Sequence, residues 1–323
     1  MTNNPRCLLL TAALLLGLAP AGLLAQGQSF PPPPPLQSPI EGMIDFHVHS
    51  APDVFGRSLT DFEIAQLARR QGMRALVFKN HVTSTADRAF LAMRRVPGIE
   101  IFGGITLNRA VGGVNPAAVE WMFRMEGGRG RVVWLPTFDA DHHLKTFGQA
   151  GEGLKVAIGG RVTPETEAVL KIVAREDLVL ATGHVTPEEV LAVIERAREL
   201  GVKRIVVTHA MAEVPLLNMA QLKRAAELGA YLEYVYLNNR TGPDAHQGWM
   251  KHWRRISYAD LAAAVREIGA DHWVLSSDLG QTENPLHTDG YKRMVAGLLK
   301  EGISPADVDK MTKTNPAWLL RLD

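Results

Sequence analysis

Eight short apolar runs, each followed by a stretch of helical periodicity, constrain this chain more than any other feature. The runs cover residues 44–49, 74–81, 99–107, 131–138, 178–184, 203–209, 230–236 and 272–278. Strands that alternate with helices pair in parallel, because each helix returns the chain to the same end of the sheet. Eight such units in roughly 280 residues match a closed (β/α)8 barrel of the TIM type, an α/β fold. An open doubly wound sheet is the alternative; no GxGxxG opens a helix here, and the count of eight favours closure. Helices are expected over about 60–71, 83–95, 116–125, 215–228, 258–268, 289–300 and 305–313, with two more starting near Thr163 and Thr186. Two long connections, 139–160 and 238–255, read as binding loops or a lid.

The chemistry sits where these runs end. The first reads Ile44, Asp45, Phe46, His47, Val48, His49. Strand alternation places Asp45, His47 and His49 on one face, and two imidazoles there can share one metal ion. Other runs end in Lys79 and His81, in His184, in His209 and in Asp278. In a barrel all these ends meet at one mouth. Five of the 11 histidines lie there, which chance scatter would not produce. Imidazole and carboxylate donors suit Zn2+, and also serve Mn, Fe or Co. Such an ion lowers the pKa of bound water toward about 7 and polarises a carbonyl or phosphoryl oxygen. Asp45, one step deeper, is expected to orient a ligand imidazole. Loop residues expected near a substrate are Asp53, Arg57, Asn108, Arg109, Tyr236, Asn238, Arg240, Trp249, His252, Trp253, Gln281 and Asn284.

With those residues in that order, the chain resembles the amidohydrolase superfamily of metal-dependent hydrolases. The resemblance spans about residues 40–323. It is carried by His47-Val48-His49, His184, His209 and Asp278, and by the ending Asn315, Pro316, Ala317, Trp318, Leu319, Leu320. It implies one or two divalent ions drawn from the ligands His47, His49, His81, His184, His209 and Asp278. It also implies a catalytic set of Asp278, His209 and Lys79, in which Asp278 takes a proton from the attacking water. The reaction implied is hydrolysis of an amide, lactone or other ester-like bond. One departure stands out. Many two-metal members carry a bridging carboxylated lysine or a glutamate at the end of the fourth strand, and here that run ends Thr137, Phe138, Asp139. Asp139 or Lys79 is left to bridge, or Lys79 faces an anionic substrate. Two other functions stay open: a metal-dependent decarboxylase of a small aromatic acid, and a non-catalytic metal or solute binder of the cell envelope.

Residues 1–25 read as an export signal, with Arg6 before an apolar core over 7–19 that is too short for a span of about 20 residues. Residues 26–39, with prolines at 31–35, read as an extended linker, and 40–323 as the folded domain. The expected product is periplasmic or secreted, with no membrane span once the signal is removed. Cys7 is the only cysteine, so the exported form has none for disulfides. A balance of 35 basic and 34 acidic residues, without a basic stripe, excludes nucleic acid as a partner. The expected partner is a small-molecule substrate, and homo-oligomerisation is left open.

Overall fold

The computed structural model describes residues 37–322, and the compact unit begins at Ser38. The export signal and most of the linker lie outside the described residues. In chain order the strands are β1 (Ile44–Val48), β2 (Ala75–Phe78), β3 (Glu100–Thr106), β4 (Gly130–Trp134), β5 (Ala157–Ile158), β6 (Arg161–Val162), β7 (Val179–Ala181), β8 (Arg204–Val207), β9 (Tyr231–Val235) and β10 (Trp273–Ser276). Eight of them form one sheet in the order β1-β2-β3-β4-β7-β8-β9-β10, all parallel, while β5 and β6 pair as a small antiparallel ribbon. The sheet closes past the end of β10. There the Asp278 N–H donates to the His47 carbonyl at 2.8 Å, and the His49 N–H to the Leu279 carbonyl at 2.9 Å. Gly280 permits this approach, since a Cβ there would stand 2.0 Å from the His49 carbonyl oxygen. The expected barrel is therefore the fold found.

Strand periodicity sorts the core into two layers. Ala75, Val77, Val132, Trp134, Val179, Ala181 and Val274 fill the barrel interior, closed at the bottom by Leu319 and Leu320. Their neighbours Leu76, Phe78, Val133, Leu180 and Leu275 pack outward against the helices. On β1 the simple alternation fails. Ile44 and Phe46 belong to the interior and Val48 to the outer layer, because the register shifts between Asp45 and Val48. This bulge supplies the extra residue that lets His47 follow Phe46 inward, and it moves Asp45 off the face of the histidines.

Helix starts follow their caps. Thr60 with Glu63, Thr186 with Glu189, and Ser257 with Asp260 form reciprocal capping boxes. Two expected helices begin late. Thr85 gives its hydroxyl to the Phe78 carbonyl at 2.7 Å, so the helix after β2 runs only Ala86–Arg95. The helix after β8 is Met219–Glu227, capped by Asn218 and Gln221. At the other end, Pro305–Asp309 gives way to a π turn, Lys310–Thr314, before the terminal Asn315–Leu320. The connection after β4 holds a short helix, Asp141–Thr146, as well as the β5–β6 ribbon. Among the described residues no helix is long and apolar enough to cross a membrane.

Candidate metal centre

His47, His49 and Asp278 converge at the mouth. Asp278 Oδ1 lies 3.2 Å from His47 Nε2 and 3.1 Å from His49 Nε2. All three side chains are buried, and their donor atoms lie within 4.8 Å of one another. The partners of the far ring nitrogens fix the protons. His47 Nδ1 meets Glu233 at 3.2 and 3.4 Å. A carboxylate only accepts, so His47 carries its proton on Nδ1 and turns the Nε2 lone pair toward Asp278. A lone pair and a carboxylate oxygen 3.2 Å apart repel unless a proton or a cation lies between them. With His49 Nε2 on the same oxygen, the three donors are spaced to fit a divalent ion. His49 Nδ1 instead faces the Arg57 guanidinium at 3.3 Å, a group that only donates, so the His49 proton lies on Nε2 toward Asp278 Oδ1, and ligation through Nε2 requires that proton to move.

Lys79 and His209 stand around this cage. Lys79 Nζ is 3.0 Å from His47 Nε2 and lies 5.5 Å over the Trp134 ring on the barrel floor. His209 Nε2 is 3.6 Å from Asp278 Oδ2. Burial drives every charge here toward neutrality. It raises Asp278 to about 8, with Lys79 opposing, and lowers Lys79 to about 8, with Asp278 and Glu233 opposing. Burial likewise holds His47, His49, His81, His184 and His209 well below the ordinary histidine value. His209 and Asp278 share one further feature: both sit at φ 51°. That left-handed backbone is costly for side chains with a Cβ, and such strain persists where the surrounding structure enforces it.

The remaining sequence candidates divide. His81 stacks on His49 with ring centres 4.9 Å apart and pairs through Nδ1 with Thr137 at 2.9 Å. His184 lies beside His209, centres 5.2 Å apart, and its Nδ1 meets His143 Nδ1 at 2.9 Å. Asp45 does not orient an imidazole. Its Oδ1 accepts the backbone N–H groups of Ser277 at 2.8 Å and His47 at 3.3 Å, clipping β10 to the bulge in β1. Asp139 accepts the Arg109 N–H at 2.7 Å and stays outside the cage. Asn108 is a buried brace, bonding Thr137 Oγ1 at 2.8 Å and the His81 carbonyl at 3.0 Å. Glu233, the residue that orients His47, was visible in the sequence only as an acid inside an apolar run. His143 carried no signal beyond its residue type.

Above the cage opens a cavity of about 940 Å3. Phe55, Phe138, Phe147, Trp249 and Trp253 give it an aromatic wall, and Arg57, Asn238, His252 and Gln281 also line it. Arg57 is tied to Asp53 at 2.8 Å. Phe147 stacks on Trp253, centres 4.9 Å apart, joining the two long connections across the mouth.

A family model described as a family of unknown function, DUF6282, matches residues 42–233, more than half of the chain. The chain belongs to that family. No curated protein matches it. Among solved structures, the organophosphorus hydrolase from Deinococcus radiodurans superposes with a TM-score of 0.56 at 17% identity, covering 88% of this chain and 93% of that one. A mutant of a Deinococcus radiodurans PTE-like lactonase gives 0.55 at 16% identity, covering 88% and 96%. At such identities the likeness shows the shared barrel, and this DUF6282 member has that architecture from β1 to its terminal helix.

Proposed function

We propose that this DUF6282 member is a metal-dependent hydrolase of the amidohydrolase type, acting on a lactone, amide or other ester-like bond of a small molecule. The observation that carries it is the His47 Nε2–Asp278 Oδ1 approach of 3.2 Å, with His49 Nε2 on the same oxygen. The barrel shared with an organophosphorus hydrolase and a PTE-like lactonase supports it.

His47, His49 and Asp278 would hold the first divalent ion, and His184 and His209, with His81 nearby, are the donors for a second. Nitrogen and oxygen donors make zinc the first candidate. When bound, the ion supplies Lewis acidity and makes water nucleophilic near neutral pH. The chain supplies the rest. Asp278 takes the proton of the attacking water and returns it to the leaving group, a role suited to a buried carboxyl with an affinity for protons near neutrality. Lys79 Nζ and His209 face the oxygen that gains charge. Glu233 keeps His47 in the tautomer that leaves Nε2 without a proton. The aromatic wall takes the apolar part of the substrate and excludes water.

Export is part of the same reading. Residues 1–25 carry it, and amino-terminal sequencing of the mature protein tests it. The activity is tested by assaying zinc-loaded and chelated protein on lactones, carboxylic esters, amides and phosphotriesters. Metal-dependent turnover of one class supports the proposal. Carbon dioxide release without uptake of water would indicate the decarboxylase instead, and bound metal without turnover on any panel would indicate the solute binder.

A further inference from the structure

His143 lies outside the six metal donors read from the sequence, on the connection after β4. That connection is firmly seated. Leu154 donates its N–H to the Asp139 carbonyl at 2.7 Å, and Asp141 donates to the Leu154 carbonyl at 2.9 Å. Glu189 accepts the N–H groups of Val156 and Ala157 at 2.9 and 3.3 Å. Phe138, Phe147 and Trp253 surround the His143 ring at centre distances of 5.2, 4.7 and 6.3 Å. It is thereby held stacked on His184, centres 5.0 Å apart, with the two Nδ1 atoms 2.9 Å apart.

At that distance one Nδ1 donates and the other accepts. The surroundings choose between them. His184 Nε2 is buried with no hydrogen-bond partner, beside His209 and in the same mouth as the Lys79 ammonium. An N–H turned toward the Lys79 ammonium is repelled, whereas a lone pair is attracted. The His143 ring borders the open cavity, where water serves either of its states. His47 and Glu233 show the same pattern: the far nitrogen donates its N–H to the partner behind it, and Nε2 carries no proton.

We propose that His143 is a positioning residue that accepts the His184 Nδ1–H and so presents the His184 Nε2 lone pair to a second divalent cation. An imidazole takes the place that a carboxylate or carbonyl usually fills behind a ligating histidine. The use made of that lone pair rests on the metal-dependent reading above; the tautomer does not.

Nitrogen NMR of histidine-labelled, metal-free protein reads the tautomer directly, with the His184 signals assigned by their loss in His184→Ala. The expected result is His184 protonated on Nδ1 and bare on Nε2. His143→Phe keeps the ring packing but removes the acceptor, so the His184 tautomers should average. His143→Asn places an amide oxygen near the former Nδ1 and should restore the wild-type signal. Zinc titration calorimetry should show the second equivalent weakened about tenfold or more in His143→Phe, with the first unchanged and most of the loss recovered in His143→Asn. A wild-type His184 protonated on Nε2 overturns the proposal even if neither variant folds. So does a His143→Asn protein that behaves like His143→Phe, because an acceptor restored at the Nδ1 position would then not set the tautomer. A wild type that takes up a single zinc counts against the two-ion reading, and the tautomer then decides this one.

Discussion

Replacing Glu233 tests how the protein prepares His47, the first of the proposed metal ligands. The carboxylate touches His47 Nδ1 at 3.2 and 3.4 Å and accepts the His209 backbone N–H at 3.4 Å. Glu233→Gln keeps the volume and an accepting oxygen but removes the charge. Glu233→Leu removes both and leaves two buried donors without a partner. Loss of the group behind a ligating histidine weakens metal binding by about 10–100-fold. The contacts here are long for charge-assisted bonds, which places Gln near the tenfold end and Leu near the hundredfold end. At zinc a thousandfold above the wild-type dissociation constant, zinc should stabilise the wild type by about 4.1 kcal/mol, the Gln variant by about 2.7 and the Leu variant by about 1.4. For a chain of this size that lowers the zinc-loaded melting temperature by roughly 3 and 5 °C, at about 2 °C per kcal/mol. Calorimetric zinc titration, with melting curves of loaded and chelated protein, measures both quantities. Wild-type zinc affinity in Glu233→Leu would refute the reasoning, because His47 would then need no partner to present Nε2.

Other changes separate roles within the cage. Asp278→Asn should cut turnover by at least about 10²–10⁴-fold while circular dichroism stays unchanged; retained activity would remove Asp278 as the proton carrier. Lys79→Met should lower turnover at least about a hundredfold with the zinc count per chain unchanged; a count lower by one would make Lys79 the bridge between two ions. Acidifying the chelated protein below pH 6.5 should destabilise it. The five buried imidazoles resist protonation in the fold, so the unfolded chain binds more protons there. Burial acts oppositely on Asp278 and Asp45, raised to about 8 and about 7, but two carboxyls offset only part of five imidazoles. Urea titrations between pH 7 and 5 measure the net effect, and stability that rises on acidification would contradict it.

The barrel was legible because its signal is local. Apolar strands, capped helices and donors at strand ends can each be read within a few residues. What escaped depends on contacts between distant segments. The bulge in β1 is a shift in its pairing with β2, so alternation alone puts Asp45 on the face of the histidines. Glu233 gains its role only because β9 stands one strand away from β1 in the closed barrel, which brings it to His47, 186 residues away in sequence. His143 sits in a connection whose course is fixed by Glu189, a helix residue that reads from the sequence as a cap alone. Asn108 and Tyr236 were read as loop residues, yet both are buried, because the barrel layers extend past the strand ends.

Segments far apart in sequence bring His47, His49 and Asp278 together in one cage that fits a cation. Elemental analysis of the purified protein, with anomalous diffraction at the zinc edge, tests it most directly. The expected result is at least one divalent ion per chain, bound by His47 Nε2, His49 Nε2 and a carboxylate oxygen of Asp278. A protein that takes up no ion at millimolar zinc, or places it away from these three residues, would contradict it.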